Sequence, residues 1–275
     1  MEYKKVHALK GDHLRGIMKK SRARKQGDLG DVKRNLDSGN IPSEEIAKGP
    51  PNVIKEWSQS LIVAAVLFFL IRTFVLQTFV ITSGSMEETL MVGDFLVADR
   101  AAVGTRIPGT QIRIPGYSSI KRGDVLVFDP PHEPDLKLVK RLVGMPGDTL
   151  SMSDGLLMIN GKSQMEGYAK HVDPSTDEYH PWMSWQLDHL VESIERASYR
   201  PTRDNWGPLV VPSGRYFMLG DNRHSSLDSR YWGLLERWRF EGRATVLYFS
   251  YNRDSYRPFP WIREIRWERT FSLVQ

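Results

Sequence analysis

Cysteine is absent from this 275-residue chain. That excludes disulfides, thiolate catalysis and cysteine-based zinc sites. It leaves the compartment open, because an exported domain can fold without disulfides. Histidine is scarce, at 7 residues. His171, His180 and His189 share no metal-ligand spacing, so no metal is expected. Alternation of strands with helical segments is also lacking, which argues against a parallel α/β sheet and for a mixed or antiparallel one. No internal repeat is visible. What is present is ordinary globular composition, 40% hydrophobic and 26% charged, with a formal net charge of +5. Lys4, Lys5, Lys10, Arg15, Lys19, Lys20, Arg22, Arg24 and Lys25 crowd one end. Such a block suits nucleic acid, anionic lipid or simple solvation as a polar tail.

Long apolar runs are lacking too, with one exception. Residues 61–71 are unbroken apolar sequence, and the run continues through Arg72 and Gln77 to Thr82. A bilayer crossing needs about 20 mostly apolar residues, and 59–79 suffices if Arg72 snorkels or meets a partner. The alternatives are a buried core helix and a cleaved signal peptide; the second sits poorly with a run that begins so far from Met1. Lysine and arginine stay on the cytoplasmic side of a membrane. The basic block therefore predicts an internal tail, an external domain after Thr82, and no nucleic-acid partner.

The remainder reads as strands at 95–97, 125–128, 136–143, 150–152, 156–159, 216–219 and 244–249. Gly93-Asp94 and Gly123-Asp124 precede two of them, and Ser153-Asp154-Gly155 marks a hairpin. Leu187, Leu190, Val191 and Ile194 have helical spacing, so one short helix is expected around 184–199, within a polar, aromatic stretch. The fold class is thus mainly β: a mixed or antiparallel sheet with an inserted β-rich subdomain carrying one short helix, preceded by one transmembrane helix. The expected divisions are a tail at 1–56, a membrane helix at 57–80, a β domain at 81–150 and 209–275, and an insertion at 151–208.

Ser85 follows closely on the apolar run, in Ser83-Gly84-Ser85-Met86. A serine hydroxyl needs a neighbour that takes its proton. None of His132, His171, His180, His189 and His224 is placed for this by sequence. Lys140 is different. In a strand, alternate residues share a face, so Leu136, Leu138, Lys140 and Leu142 point one way. Burial there disfavours the ammonium form and lowers the pKa. A drop of roughly three units from about 10.4 corresponds to about 4 kcal/mol. The alternative is a strand lysine that snorkels to solvent; Lys137, on the other face, is its control.

Four ordered blocks follow the apolar segment: SGSMEETL at 83–90, GDVLVF at 123–128, KRLVGMPGD at 140–148 and GDNRHSSLDSRYWG at 220–233. In this the chain resembles the bacterial type I signal peptidases. The resemblance implies that Ser85 is the nucleophile and Lys140 the general base. It implies an oxyanion hole from the Ser83 hydroxyl and the Ser85 backbone N–H. Ser226 would orient the lysine, Asp228 and Arg230 would form a supporting ion pair, and Asp221, Asn222 and Arg223 would shape the loop beneath. The implied activity is removal of signal peptides from exported preproteins at the bacterial inner membrane. The enzyme would be single-pass, with its N-terminus cytoplasmic, and would need no cofactor. A specialist for one substrate and an inactive peptide-binding relative are the other readings. The peptide is expected to add as a strand beside the segment before the nucleophile, with Phe79, Ile81, Thr82, Met86, Leu90, Leu138 and Val139 as pocket walls. Two residues depart from the family's pattern. Glu88 stands where proline is usual, and its carboxylate is expected to point away from Lys140. His224 stands where an acidic or amide residue is common. Trp238, Phe259, Trp261 and Trp267 suit either the lipid headgroup level or a core. Oligomeric state is not encoded in any of these motifs.

Overall fold

The computed structural model describes residues 53–275 except 108, 109, 111, 134, 135 and 173–176. The basic block, and with it most of the expected tail, lies outside these residues.

Helix α1 (Val53–Phe74) has Glu56 in its first turn and Arg72 in its last, each complementing the helix dipole. At 1.5 Å per residue its 22 residues reach about 33 Å, the thickness of a bilayer core. Lys55–Phe74 is long and apolar enough to cross a membrane, and none of that window is buried in protein. This departs from the expected span of 57–80 at its far end. Residues 76–80 are strand, because their alternation of Leu76, Thr78 and Val80 outward against Gln77 and Phe79 inward suits a sheet edge.

The strands are β1 (Leu76–Val80), β2 (Asp94–Asp99), β3 (Gly104–Arg106), β4 (Arg113–Pro115), β5 (Val125–Phe128), β6 (Leu138–Gly144), β7 (Thr149–Ser153), β8 (Leu156–Ile159), β9 (Lys162–Ser163), β10 (Trp206–Val210), β11 (Arg215–Leu219), β12 (Leu235–Glu236), β13 (Phe240–Ser250) and β14 (Ser272–Leu273). An eight-stranded sheet runs β1-β2-β13-β5-β6-β11-β12, with β14 added to β13. A four-stranded sheet, β10-β7-β8-β9, and the β3-β4 pair stand apart from it. The pairings are antiparallel, so the fold is mainly β.

One turn design is used three times to enter a strand. At 91–94, 121–124 and 145–148 a glycine with φ near +90° is followed by aspartate. The aspartate's N–H donates to the carbonyl three residues back. Its carboxylate accepts from that same residue's N–H: Met91 to Asp94 at 2.8 Å, Lys121 to Asp124 at 2.8 Å and Met145 to Asp148 at 2.6 Å. Only glycine enters that backbone region at low cost, and a short carboxylate reaches its own turn.

Three apolar clusters hold the domain. One lies between the smaller sheet and β11, around Leu150, Trp206 and Phe217. A second joins Ile81, Met86 and Leu90 to β2, β5 and β13. The third packs Leu126, Phe128, Leu142 and Met218.

The helix expected at 184–199 is not formed. A 3-10 segment covers Pro181–Asp188 instead. Beyond it the backbone is spent on β10: Val210 donates to His189 O at 2.8 Å and Val191 donates to Pro208 O at 3.2 Å. The apolar spacing is real, since Leu187, Leu190 and Ile194 all pack on the first cluster. Pairing with β10 claimed the Val191 N–H and the His189 carbonyl, which a helix would have used internally.

Candidate active site

Ser85 sits in a single 3-10 turn, Gly84–Met86, and is buried with Met86. Asn222 fixes that turn twice. Its N–H donates to Ser85 O at 3.1 Å and its side-chain amide donates to Gly84 O at 3.2 Å. Lys140 lies on β6 opposite Leu126 of β5, and strand alternation puts Leu138 and Leu142 on its face. The lysine is 2% exposed. Its Nζ is in direct hydrogen-bond contact with Ser85 Oγ. Burial pushes the ammonium pKa down to about 8; Asp228 opposes this, Arg230 reinforces it, and Asp221 opposes it. Ser83, exposed, places its Oγ 3.5 Å from Ser85 Oγ.

Behind the pair, Gly220 fills a position that no side chain could share. A Cβ there would overlap Ser226 Oγ and lie 2.5 Å from Ser85 O. Ser226 is buried, but its hydroxyl has no hydrogen-bond partner among the described residues. The expected bond to Lys140 is therefore not made; the lysine nitrogen is turned to Ser85 instead.

Asp228 and Arg230 are both fully buried and joined bidentately, Nε to Oδ1 and Nη2 to Oδ2, each at 2.8 Å. Burial alone would raise the Asp228 pKa, but the Arg230 guanidinium outweighs it and holds the carboxyl below its ordinary value. Asp228 also accepts from Gly220 N at 3.1 Å. Arg230 donates to Arg223 O at 2.6 Å. The pair thus braces the start and the middle of the 220–226 loop.

Asp221, Asn222 and Arg223 form the turn beneath. Arg223 donates to Gly220 O at 3.2 Å and pairs with Glu166 at 2.7 Å. Sequence reasoning missed what holds Asp221. Arg141 donates to it through Nε at 2.9 Å and Nη2 at 2.6 Å, and the Thr89 hydroxyl donates to it at 2.6 Å. The Arg141 guanidinium lies 3.9 Å above the Tyr168 ring. The signal available in sequence was Arg141 itself, a second basic residue in an otherwise apolar strand.

Phe79, Ile81, Thr82, Met86, Leu90, Leu138 and Val139 all line one groove of about 200 Å³, together with Val80, Ser83, Ser85, Leu136 and Lys137. Lys137, the control, is engaged by Asp129 and Glu241. The Glu88 carboxylate is 65% exposed and pairs with Lys170 at 3.0 Å. Trp238, Phe259, Trp261 and Trp267 are all at least half exposed, so none is a core residue.

Residues 54–249 match the family described as signal peptidase, peptidase S26. The chain is 36% identical over 193 residues to a signal peptidase I of Pseudomonas fluorescens, covering 69% of this chain and 66% of the relative. It therefore spans a little under two thirds of that relative's length. It is 33% identical to a signal peptidase I of Bacillus licheniformis, covering 76% of this chain and 96% of the relative. A solved signal peptidase I from Enterococcus faecalis V583 aligns at 31% identity over 46% of this chain and 97% of the other, with a TM-score of 0.31. The match to the family extends from α1 through β13 and takes in the buried serine and lysine, and on it the chain belongs to the signal peptidase family, peptidase S26.

Proposed function

We propose that this protein is a single-pass membrane endopeptidase that removes signal peptides from exported preproteins through a Ser85–Lys140 dyad. The observation that carries the reading is a buried lysine with a lowered pKa against a buried serine hydroxyl, beside an apolar groove. Neutral Lys140 accepts the Ser85 proton as Oγ attacks the peptide carbonyl. The oxyanion falls to Ser83 Oγ and Ser85 N–H; one such donor is worth about 3–4 kcal/mol elsewhere. Lys140 then protonates the leaving amine and activates the water that releases the acyl group. Ser226, whose hydroxyl has no partner among the described residues, accepts a hydrogen bond from the neutral lysine amine when Ser85 is acylated.

The sheet leaves room for the substrate. β1 is the edge of the larger sheet, and β11 pairs with β6 only from Arg141 onward. The backbone before Lys140 is therefore open on that side, facing residues 79–83 across the groove. An extended peptide can bond there, with alternate side chains entering the pocket. With α1 in the bilayer and the basic block inside, the site lies at the outer face of the inner membrane, where the exposed Trp238, Phe259, Trp261 and Trp267 meet headgroups. The direct test is cleavage of a purified preprotein by wild type, Ser85→Ala and Lys140→Met. Product from wild type alone supports the dyad; equal cleavage by all three sinks it.

A further inference from the structure

A second chemical cluster lies across the 220–226 loop from the dyad. His171, Asp204 and His224 come together from three separate stretches of chain, each offering one ligand atom, with all three atoms within 4.8 Å of one another. His171 Nδ1 is 3.2 Å from His224 Nε2, and that same nitrogen is 3.3 Å from Asp204 Oδ1. One N–H cannot serve both neighbours. Three lone-pair atoms around one point are instead the arrangement of a metal site: tetrahedral bonds of about 2.0–2.1 Å separate adjacent ligands by roughly 3.3 Å. We propose that His171, His224 and Asp204 bind one divalent transition metal of the zinc class.

The ligands are held in place by main-chain contacts. Lys170 N donates to Asp221 O at 2.7 Å and Arg223 N donates to Lys170 O at 2.8 Å, which sets His171 beside His224. Gly155 N donates to Asp204 O at 3.0 Å. A Cβ at Gly155 would stand 3.2 Å from the His171 ring, so the glycine leaves that ring its space. The other carboxylate oxygen of Asp204 accepts from Arg203 at 3.0 and 3.1 Å, the outer support that metal-ligating carboxylates usually have. The three side chains share a cavity of about 320 Å³ with Asp154, which leaves a fourth position for water. Two imidazoles and one carboxylate suit zinc, nickel or copper over calcium or magnesium, which prefer oxygen. Because His224 lies two residues before Ser226, an occupied site ties the inserted sheet to the loop behind the dyad.

The test is titration of the untagged, chelator-stripped full chain in detergent with zinc chloride, followed calorimetrically, and with cobalt chloride, followed by visible absorption. One zinc per chain and cobalt bands of tetrahedral type are expected. Both should be lost in His171→Ala, where the replaced ring is exposed and folding is preserved, and retained in His180→Ala. Absence of saturable zinc binding to wild type, or undiminished binding to His171→Ala, overturns the proposal.

Discussion

Lys140 and Arg141 are neighbours on one strand and both are buried, at 2% and 3% exposure, yet among the described residues it is Arg141 that has a carboxylate on it, donating two hydrogen bonds to Asp221. Lys140 meets a hydroxyl. The carboxylate matches the planar guanidinium fork with two charge-assisted hydrogen bonds. The amine, without such a partner, is free to lose its proton.

The pH dependence follows from this. Only the neutral amine can accept the Ser85 proton. With a pKa of about 8, roughly one tenth of the lysine is neutral at pH 7. Cleavage should therefore rise with pH through about 8 and level off above it, and Lys140→Arg, permanently charged, should be inactive across the range. A pH–kcat/KM profile checks both; a profile flat from pH 6 to pH 9 would count against an amine base.

Stability has its own sign. The folded pKa lies below the unfolded value of about 10.4, so folding disfavours the charged amine. The penalty, about 3 kcal/mol, is fully present below pH 8 and disappears as pH rises from about 8 to about 10.4. Lys140→Met should thus be more stable than wild type at pH 7 and lose most of that advantage by pH 10. Denaturant unfolding at the two pH values decides it.

Asp228→Ala leaves the Arg230 guanidinium buried and unpaired, which typically costs 3–5 kcal/mol. Glu264→Ala breaks the exposed pair with Arg257 and should cost less than about 1 kcal/mol. Comparison of their thermal midpoints distinguishes a structural brace from a surface pair; equal small shifts would refute the first.

Gly220→Ala forces a methyl into Ser226 and toward the Ser85 carbonyl. Overpacking of this kind typically costs about 1–3 kcal/mol. Because the displaced atoms carry the nucleophile, kcat should fall well before the protein unfolds, with KM little changed. Loss of binding at full turnover would contradict this geometry.

Glu88 has φ of +78°, a region closed to proline and open to glycine. Glu88→Gly should be neutral or mildly stabilising, whereas Glu88→Pro should destabilise the turn after the nucleophile. Since the carboxylate faces Lys170, Glu88→Gln should leave the pH–rate midpoint unmoved. A shift of that midpoint toward neutral would place Glu88 beside the dyad instead.

The amino-acid order alone determined the local matters: an apolar stretch long enough to cross a bilayer, strands announced by alternation, glycine–aspartate turns, and a serine set directly after the apolar run. These are legible because they depend on neighbours a few residues away. The tertiary structure decided the rest. It stopped α1 at Phe74 and replaced the 184–199 helix, because sheet partners bonded the backbone. It left Ser226 without its expected bond. It brought Arg141 to Asp221 and His171 to His224 across long loops. Burial of an amine, and therefore its proton affinity, is a property of everything packed around it, and no spacing along the chain specifies that.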